Sequence, residues 1–292
     1  MYRSLASAIA AAKAANTTLA QVALTAESED SGRSIDDIRG ALARALGIMR
    51  GAIERGLAGD LRSASGLVGG DAAKLAASTN GPLVGTVFGD VLARALAVQE
   101  VNAAMGVIVA APTAGGAGVL PAVLTGLAAS RHLADDAVID ALATAGLIGA
   151  VVAERASLSG AEGGCQAETG AAAGMAAGAG TEMLGGTPDQ VGHAVALAQQ
   201  GTLGLVCDPL GGLVELPCVF RNATGAAIAL AAIEMALAGI AFAIPADEVI
   251  DTMGEIGQEM DVRYRETAGG GLAATPTGRR LARERLVQIK RS

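Results

Sequence analysis

Four glycine-rich segments interrupt this chain and separate longer stretches that are rich in alanine and leucine. Glycine pairs give the backbone conformational freedom and allow close approach to a ligand, so such segments are typical of functional loops. The stretches between them have helical patterns, and no repeat of fixed period appears. We therefore predict a mainly α-helical single domain over residues 1–292, with these loops converging at one end of a multi-helix bundle: "SGLVGGDAAK" (65–74), "APTAGGAGVLP" (111–121), "SGAEGGCQAETG" (159–170) and "CDPLGGLVELPC" (207–218).

Composition favours helices over a sheet, because aromatic residues are only 2% of the chain and hydrophobic residues are 51%. Residues 101–130 carry no charge, but their prolines and glycines would leave backbone groups unsatisfied in lipid. The N-terminal residues lack the continuous apolar core of a secretory signal. A net charge of −8 without clustered basic residues argues against nucleic-acid binding. We expect a cytoplasmic protein that binds neither membrane nor nucleic acid.

Several helix boundaries can be read from capping signals. Acidic residues follow Ser34 at the start of an apolar pattern, and Thr187 to Gln190 has the pattern of a capping box with proline at the first helical position. Further starts are predicted at Pro245 and Pro276. Continuous helices are predicted over residues 135–155 and 222–243.

The three cysteines all lie beside glycine, proline or aspartate, and none is expected inside a helix: Cys165, Cys207 and Cys218. An odd number argues against a disulfide framework. Backbone amides in such loops can stabilise thiolates. Three thiolates could hold three irons of a 4Fe–4S cluster and leave the fourth iron for a substrate. Buried, inert thiols are the alternative, and a structural zinc site would need a fourth ligand.

Longer stretches of the sequence resemble a known family, the α subunit of iron–sulfur-dependent L-serine dehydratase. The resemblance runs from about residue 40 to 280, and its most specific element is "CDPLGGLVELPC". It is also carried by "SGLVGGDAAKL", "EVNAAMGVIVAAPTAGGAGVLPAVL", "SLSGAEGGCQAETGAAAGMAAGAGTEMLGGTP" and "ETAGGGLAATPTGR". Gly116 departs from the pattern, which has a serine after "PTAG".

The resemblance implies that Cys165, Cys207 and Cys218 hold a 4Fe–4S cluster whose open iron binds the carboxylate and hydroxyl of L-serine. The implied products are pyruvate and ammonia, and a separately encoded β subunit completes an oligomeric enzyme, because this chain starts too close to the catalytic motifs to contain that part. With no cysteine after Cys218, we expect the open iron to carry water or a small anion and the cluster to be sensitive to oxygen. A threonine dehydratase or cysteine desulfidase on the same framework, or a non-enzymatic helical subunit with buried thiols, remains an alternative.

Backbone and hydroxyl donors in the first two loops are candidates for holding the substrate. Asn222 is a candidate too, with a helix N-cap as the equal alternative, and Arg221 could steer a carboxylate. Lys74 is predicted to pair with Asp71. Neither His132, near a helix end, nor His193, within a helix, is a convincing general base, so we expect the base to come from the β subunit. The substrate-binding candidates are Ser65, Gly66, Gly69, Gly70, Asp71, Thr113, Ala114, Gly115, Gly116 and Asn222.

Overall fold

The computed structural model describes residues 2–78 and 85–289, with side chains as far as Arg285. Across these residues the secondary structure is helical, apart from one isolated parallel bridge between Cys207 and Arg265. The mainly α prediction is confirmed. The helices are α1 (Leu5–Ala14), α2 (Leu19–Ser31), α3 (Ile35–Leu57), α4 (Asp71–Ala76), α5 (Thr86–Ala103), α6 (Val119–Arg131), α7 (Asp135–Arg155), α8 (Gly160–Gly163), α9 (Ala171–Met183), α10 (Pro188–Gln200), α11 (Cys218–Leu237), α12 (Ala246–Glu259) and α13 (Pro276–Ile289).

The predicted capping signals start helices where the sequence placed them. Ser34 accepts a hydrogen bond from the Asp37 amide at 3.1 Å and begins α3. The capping box at α10 is complete, because the Thr187 amide donates to Gln190 at 2.8 Å while the Gln190 amide donates to Thr187 at 3.3 Å. The predicted starts of α12 and α13 and both ends of α7 are confirmed.

The boundaries predicted for α11 are wrong at both ends. The helix begins four residues earlier than 222, directly after Pro217, and it ends at Leu237. Gly239 follows in the left-handed region with φ 85°, a conformation that ends helices readily. Asn222 therefore lies inside the first turns of α11 and is not its N-cap.

The centre of the fold is α9, whose residues from Ala171 to Thr181 are all buried. This helix packs against α6, α7, α10 and α11. Its small residues allow close approach: a Cβ at Gly178 would lie 2.4 Å from Ile148 on α7, and one at Gly180 would lie 2.6 Å from Ile233 on α11. The alanine- and glycine-rich composition is thus used to pack helices tightly around one buried helix.

Carboxylates from distant parts of the chain bind the amides at several helix starts. Asp247 accepts from the amides of Leu5 and Ala6 at 2.7 and 3.0 Å. Glu100, which is 1% exposed, accepts from the amides of Gly70, Asp71 and Ala72 at 2.6 to 3.0 Å. Helix starts leave amides without intrahelical partners, and a carboxylate there satisfies both the donors and the helix dipole.

Two helices, α7 and α11, are long and apolar enough to cross a membrane by length and composition. In the most apolar 18-residue window of each, 67% of α7 and 50% of α11 is buried inside the protein. Both helices pack against α9. Their apolar faces therefore contribute to the helical core.

Candidate functional site

Two of the three cysteines lie at helix starts, which differs from the loop positions expected from sequence. Cys218 is the first residue of α11, and Cys165 directly precedes a π-helical turn (Gln166–Gly170) that leads into α9. The proline before Cys218 and the glycine before Cys165 are typical of loops, but in both places the loop ends and a helix begins at the cysteine. Because the N-terminal end of a helix favours negative charge, this placement stabilises thiolates more than an irregular loop would.

The third cysteine is held by the C-terminal glycine-rich segment. The Cys207 amide donates to the Tyr264 carbonyl at 2.8 Å, and the Glu266 amide donates to the Cys207 carbonyl at 2.8 Å. The neighbouring Asp208 accepts from the Leu272 amide at 2.6 Å. The segment "ETAGGGLAATPTGR" is thus brought onto the cysteine loop.

The three thiols are free, buried and close enough to affect one another electrostatically. Burial raises the pKa of Cys218 to about 12, and repulsion from Cys165 adds to that effect. The pKa of Cys207 is raised further, by burial first and then by Cys165, with Glu168 and Cys218 contributing. Burial also raises the pKa of Cys165, and the hydrogen bond between Cys165 and Thr169 opposes that rise. Three thiolates here would require a compensating positive charge.

Arg221 is the cation that acts on this group of thiols. Its presence lowers the pKa of both Cys165 and Cys218. The guanidinium lies 2.7 Å from the Asp208 carboxylate and donates to the Val206 carbonyl at 2.8 Å. Its ion pair with Asp208 and its bond to the backbone hold Arg221 beside the thiols, where its charge stabilises thiolate.

A carboxylate that the sequence analysis did not single out, Glu168, lies between the loops. It accepts a hydrogen bond from Thr113 Oγ1 at 2.7 Å, and its Oε2 is 3.9 Å from Cys207 Sγ. Burial raises the pKa of Glu168. The sequence feature that could have identified Glu168 is its position in "CQAETG", three residues after Cys165, because one helical turn brings it to the same site.

The second glycine-rich loop is fixed by buried amides from two helices. Asn222 is fully buried: it donates to the carbonyls of Gly115 and Cys218 at 2.7 and 2.9 Å, and it accepts from the Gly118 amide and from Gln99 at 2.9 and 3.2 Å. All four hydrogen-bonding positions of the Asn222 side chain are therefore engaged. This arrangement makes Asn222 a positioning residue between this loop and α11.

The backbone amides of residues 113–116 have no hydrogen-bond partner among the described residues. Gly115 and Gly116 are buried, whereas Ala114 is exposed. Buried amides without partners are rare in folded proteins. These donors are therefore available to a ligand next to Glu168. At Gly116, where the family pattern has serine, a Cβ would lie 2.9 Å from the Glu168 carbonyl oxygen, so a serine would require the backbone here to shift.

The first glycine-rich loop joins the site through Glu215 of the cysteine loop. Glu215 accepts from the Ser65 amide at 3.0 Å and from both the Ser65 and Ser63 hydroxyls. The amides of Gly70 and Asp71 are taken by Glu100, and the predicted ion pair between Asp71 and Lys74 is present at 2.8 Å. The Ser65 hydroxyl and the Gly70 and Asp71 amides are thus engaged within the protein. Gly66 and Gly69 adopt positive φ in the same loop, and a substrate contact for this loop stays a prediction.

Neither histidine is placed among the thiols. His132 ends α6 in the left-handed conformation and lines a surface groove with Arg50 and Arg94. His193 lies within α10, as predicted. Neither contributes to the electrostatics of the three cysteines. The described residues thus supply carboxylates to this site but no imidazole.

The residues present fit an iron–sulfur cluster better than a single metal ion. Within residues 2–78 and 85–285, no group of three or more His, Cys, Asp or Glu side chains is arranged to hold one ion. Cluster cysteines bind different irons, so they need not meet at one point. Three buried thiols that repel one another as thiolates, with Arg221 as the acting cation, form a donor set whose charge a cluster would balance.

Fold and site together define a class of protein: a helical domain with three buried thiols and a carboxylate where glycine-rich loops meet. A family model described as serine dehydratase alpha chain matches residues 14–273. The chain belongs to this family.

Named relatives agree with that assignment. A "probable L-serine dehydratase, alpha chain" from Bacillus subtilis is 48% identical over 290 residues, which is 97% of this chain and 95% of the relative. An "L-serine dehydratase, alpha chain" from Peptoniphilus asaccharolyticus is 46% identical over 68% of this chain and 70% of the relative. An "L-serine dehydratase" from Streptomyces coelicolor is 43% identical over 89% of this chain and 58% of its own length.

Proposed function

We propose that this chain is the α subunit of a cytoplasmic L-serine dehydratase that converts L-serine to pyruvate and ammonia in amino-acid degradation. The observation that carries the proposal is that three buried thiols lie near the amides of residues 113–116, for which the described residues offer no hydrogen-bond acceptor. The family and its relatives' names support serine as the substrate. Oxygen sensitivity is part of the proposal, because an iron without a cysteine ligand is readily lost.

We assign Cys165, Cys207 and Cys218 as the ligands of a 4Fe–4S cluster. When bound, the cluster supplies Lewis-acid chemistry that assists departure of the serine hydroxyl. Arg221 contributes by stabilising the thiolates, since it lowers the pKa of Cys165 and Cys218. Asp208 holds Arg221 in place, so the ion pair acts on the cluster ligands rather than on the substrate.

The loop of Thr113 to Gly116 is proposed to bind the substrate carboxylate. Its amides face no protein acceptor among the described residues, and the loop leads into the N-terminal end of α6, which favours an anion. Asn222 and Gln99 hold the carbonyls of this loop, which fixes the direction of its amides. Fixing the substrate before reaction lowers the entropic part of the barrier.

A β subunit is proposed to complete the enzyme. Relatives are named as α chains, which implies a separate β chain. The described part of this chain offers no histidine near the thiols to accept the α-proton. We therefore propose that the proton acceptor comes from the β subunit.

The test compares L-serine deamination by anaerobically purified α chain with and without its β subunit. We expect the α chain to contain iron and sulfide and to show the visible absorption that is typical of iron–sulfur proteins. Turnover is expected only when the β subunit is present. L-threonine and L-cysteine are assayed in parallel to test the two related activities. A colourless α chain without iron would instead support a non-enzymatic helical subunit with buried thiols.

A further inference from the structure

The Glu168 carboxylate is the point at which three of the glycine-rich segments meet. A Cβ at Gly115 would lie 2.8 Å from both carboxylate oxygens, and a Cβ at Gly160 would lie 2.7 Å from Oε2 and 3.2 Å from Cys207 Sγ. Glycine at both positions leaves room for this carboxylate, whereas any residue with a Cβ there would collide with it. Thr113 Oγ1 donates to the other oxygen at 2.7 Å. The loops are thus shaped around Glu168 as well as around the thiols.

The carboxylate has no cationic partner in the described part of the chain. No lysine or arginine there forms an ion pair with Glu168. Its charged neighbour is Glu266, whose backbone adopts the uncommon left-handed conformation with φ 62°. Arg221, the cation of the site, is engaged by Asp208. The described residues thus give this half-buried carboxylate a hydrogen bond from Thr113 but no cation, and a cationic group of a ligand can bind there.

We propose that Glu168 binds the α-ammonium group of the amino-acid substrate. This inference rests on the proposed function and adds to it the group that recognises an amino acid rather than a simple hydroxy acid. The loop of residues 113–116 lies beside the Glu168 carboxylate, because a Cβ built at Gly115 would be 2.8 Å from both carboxylate oxygens and Thr113 Oγ1 donates to one of them at 2.7 Å. The carboxylate and ammonium of one amino acid are attached to the same carbon, so adjacent donors and acceptors of this kind suit a zwitterion. Thr113 orients the carboxylate and leaves lone pairs for the ammonium.

The experiment compares two non-reactive ligands that differ only in the amino group, L-alanine and propionate. Their affinities for the assembled α–β enzyme are measured by calorimetry, so no turnover is required. We expect wild-type enzyme to prefer L-alanine and Glu168→Gln to lose that preference, with an affinity for L-alanine on the order of 30-fold lower, the effect of one charge-assisted hydrogen bond. Propionate affinity should stay unchanged, and so should iron content.

The matched control is Glu162→Gln, which neutralises an exposed carboxylate of the same segment. It should keep the wild-type preference. Glutamine has the shape of glutamate, so Glu168→Gln preserves the packing against Gly115 and Gly160. If this variant nevertheless fails to fold, Glu168→Asp replaces it and should show a reduced preference for L-alanine over propionate. An undiminished preference for L-alanine in the folded variant would overturn the proposal. Turnover of L-serine by the wild-type enzyme tests the proposed function separately, so the two failures are distinguishable.

Discussion

Cys218 shows how one residue can satisfy the fold and the site at once. Pro217 precedes it as the N-cap, and its carbonyl accepts the first helical hydrogen bond from the Arg221 amide at 3.1 Å, so α11 begins at the cysteine. The Cys218 carbonyl accepts from Asn222, which also holds the Gly115 carbonyl. The thiol therefore stands at a helix start, and the Asn222 side-chain amide couples its backbone to the second glycine-rich loop.

Replacing Cys218 with serine is expected to remove iron binding while the helical fold remains. Even outer partners of metal ligands contribute about 10- to 100-fold to metal affinity, so loss of a direct ligand should cost more than that. Iron and sulfide analysis with far-UV circular dichroism checks both parts. Thr224→Ser, an exposed change on the same helix, is the control. Full iron content in Cys218→Ser would remove this residue from the ligand set.

At the scale of elements, α4 depends on a carboxylate from another helix. The helix has six residues, too few for stability of its own, and Glu100 on α5 accepts hydrogen bonds from three amides at its start. These bonds hold the first glycine-rich loop against α5. The same loop reaches the cysteine loop through Glu215.

Glu100→Ala is expected to lower the free energy of unfolding by about 3 kcal/mol, because three amides, two of them buried, would lose a charged acceptor. Urea denaturation followed by circular dichroism measures the change. The control is Glu154→Ala, which removes a carboxylate that is 53% exposed and 3.6 Å from Arg3, and it should change stability by less than about 0.5 kcal/mol. Equal effects of the two substitutions would contradict the role given to Glu100.

Helix existence was predictable from sequence, and so were the ends marked by local chemistry. Ser34, Thr187 and Pro276 act on their own neighbours, so their effect is visible in the sequence. The roles of Glu100, Glu168 and Asn222 depend on partners far along the chain. Asn222 resembled a cap because it follows a proline-containing loop, but its partners Gly115 and Gln99 lie more than a hundred residues away. Such pairings are set by tertiary packing.

The whole molecule combines a tightly packed helical core with a site made largely of irregular backbone. The core around α9 is apolar and closely packed, and it includes residues of α6, α7, α10 and α11. The site segments 207–217 and 262–275 contain only short 3₁₀ turns and are held by a few bonds such as those of Cys207 and Asp208. Packing of the core and ordering of the site therefore rest on different interactions.

Removing the proposed cluster under anaerobic conditions is accordingly expected to loosen the site and leave the core folded. Without the proposed cluster, burial favours the neutral thiols, and no metal joins Cys207 to Cys165 and Cys218. Hydrogen exchange measured by mass spectrometry should be faster in residues 205–217 and 262–275. If the free energy of local opening falls by about 1.4 kcal/mol, the exchange rate rises on the order of 10-fold. Peptides from α9 should keep their protection. Loss of protection throughout α9 on chelation would mean that the cluster holds the whole fold together, contrary to the separation of core and site that the packing indicates.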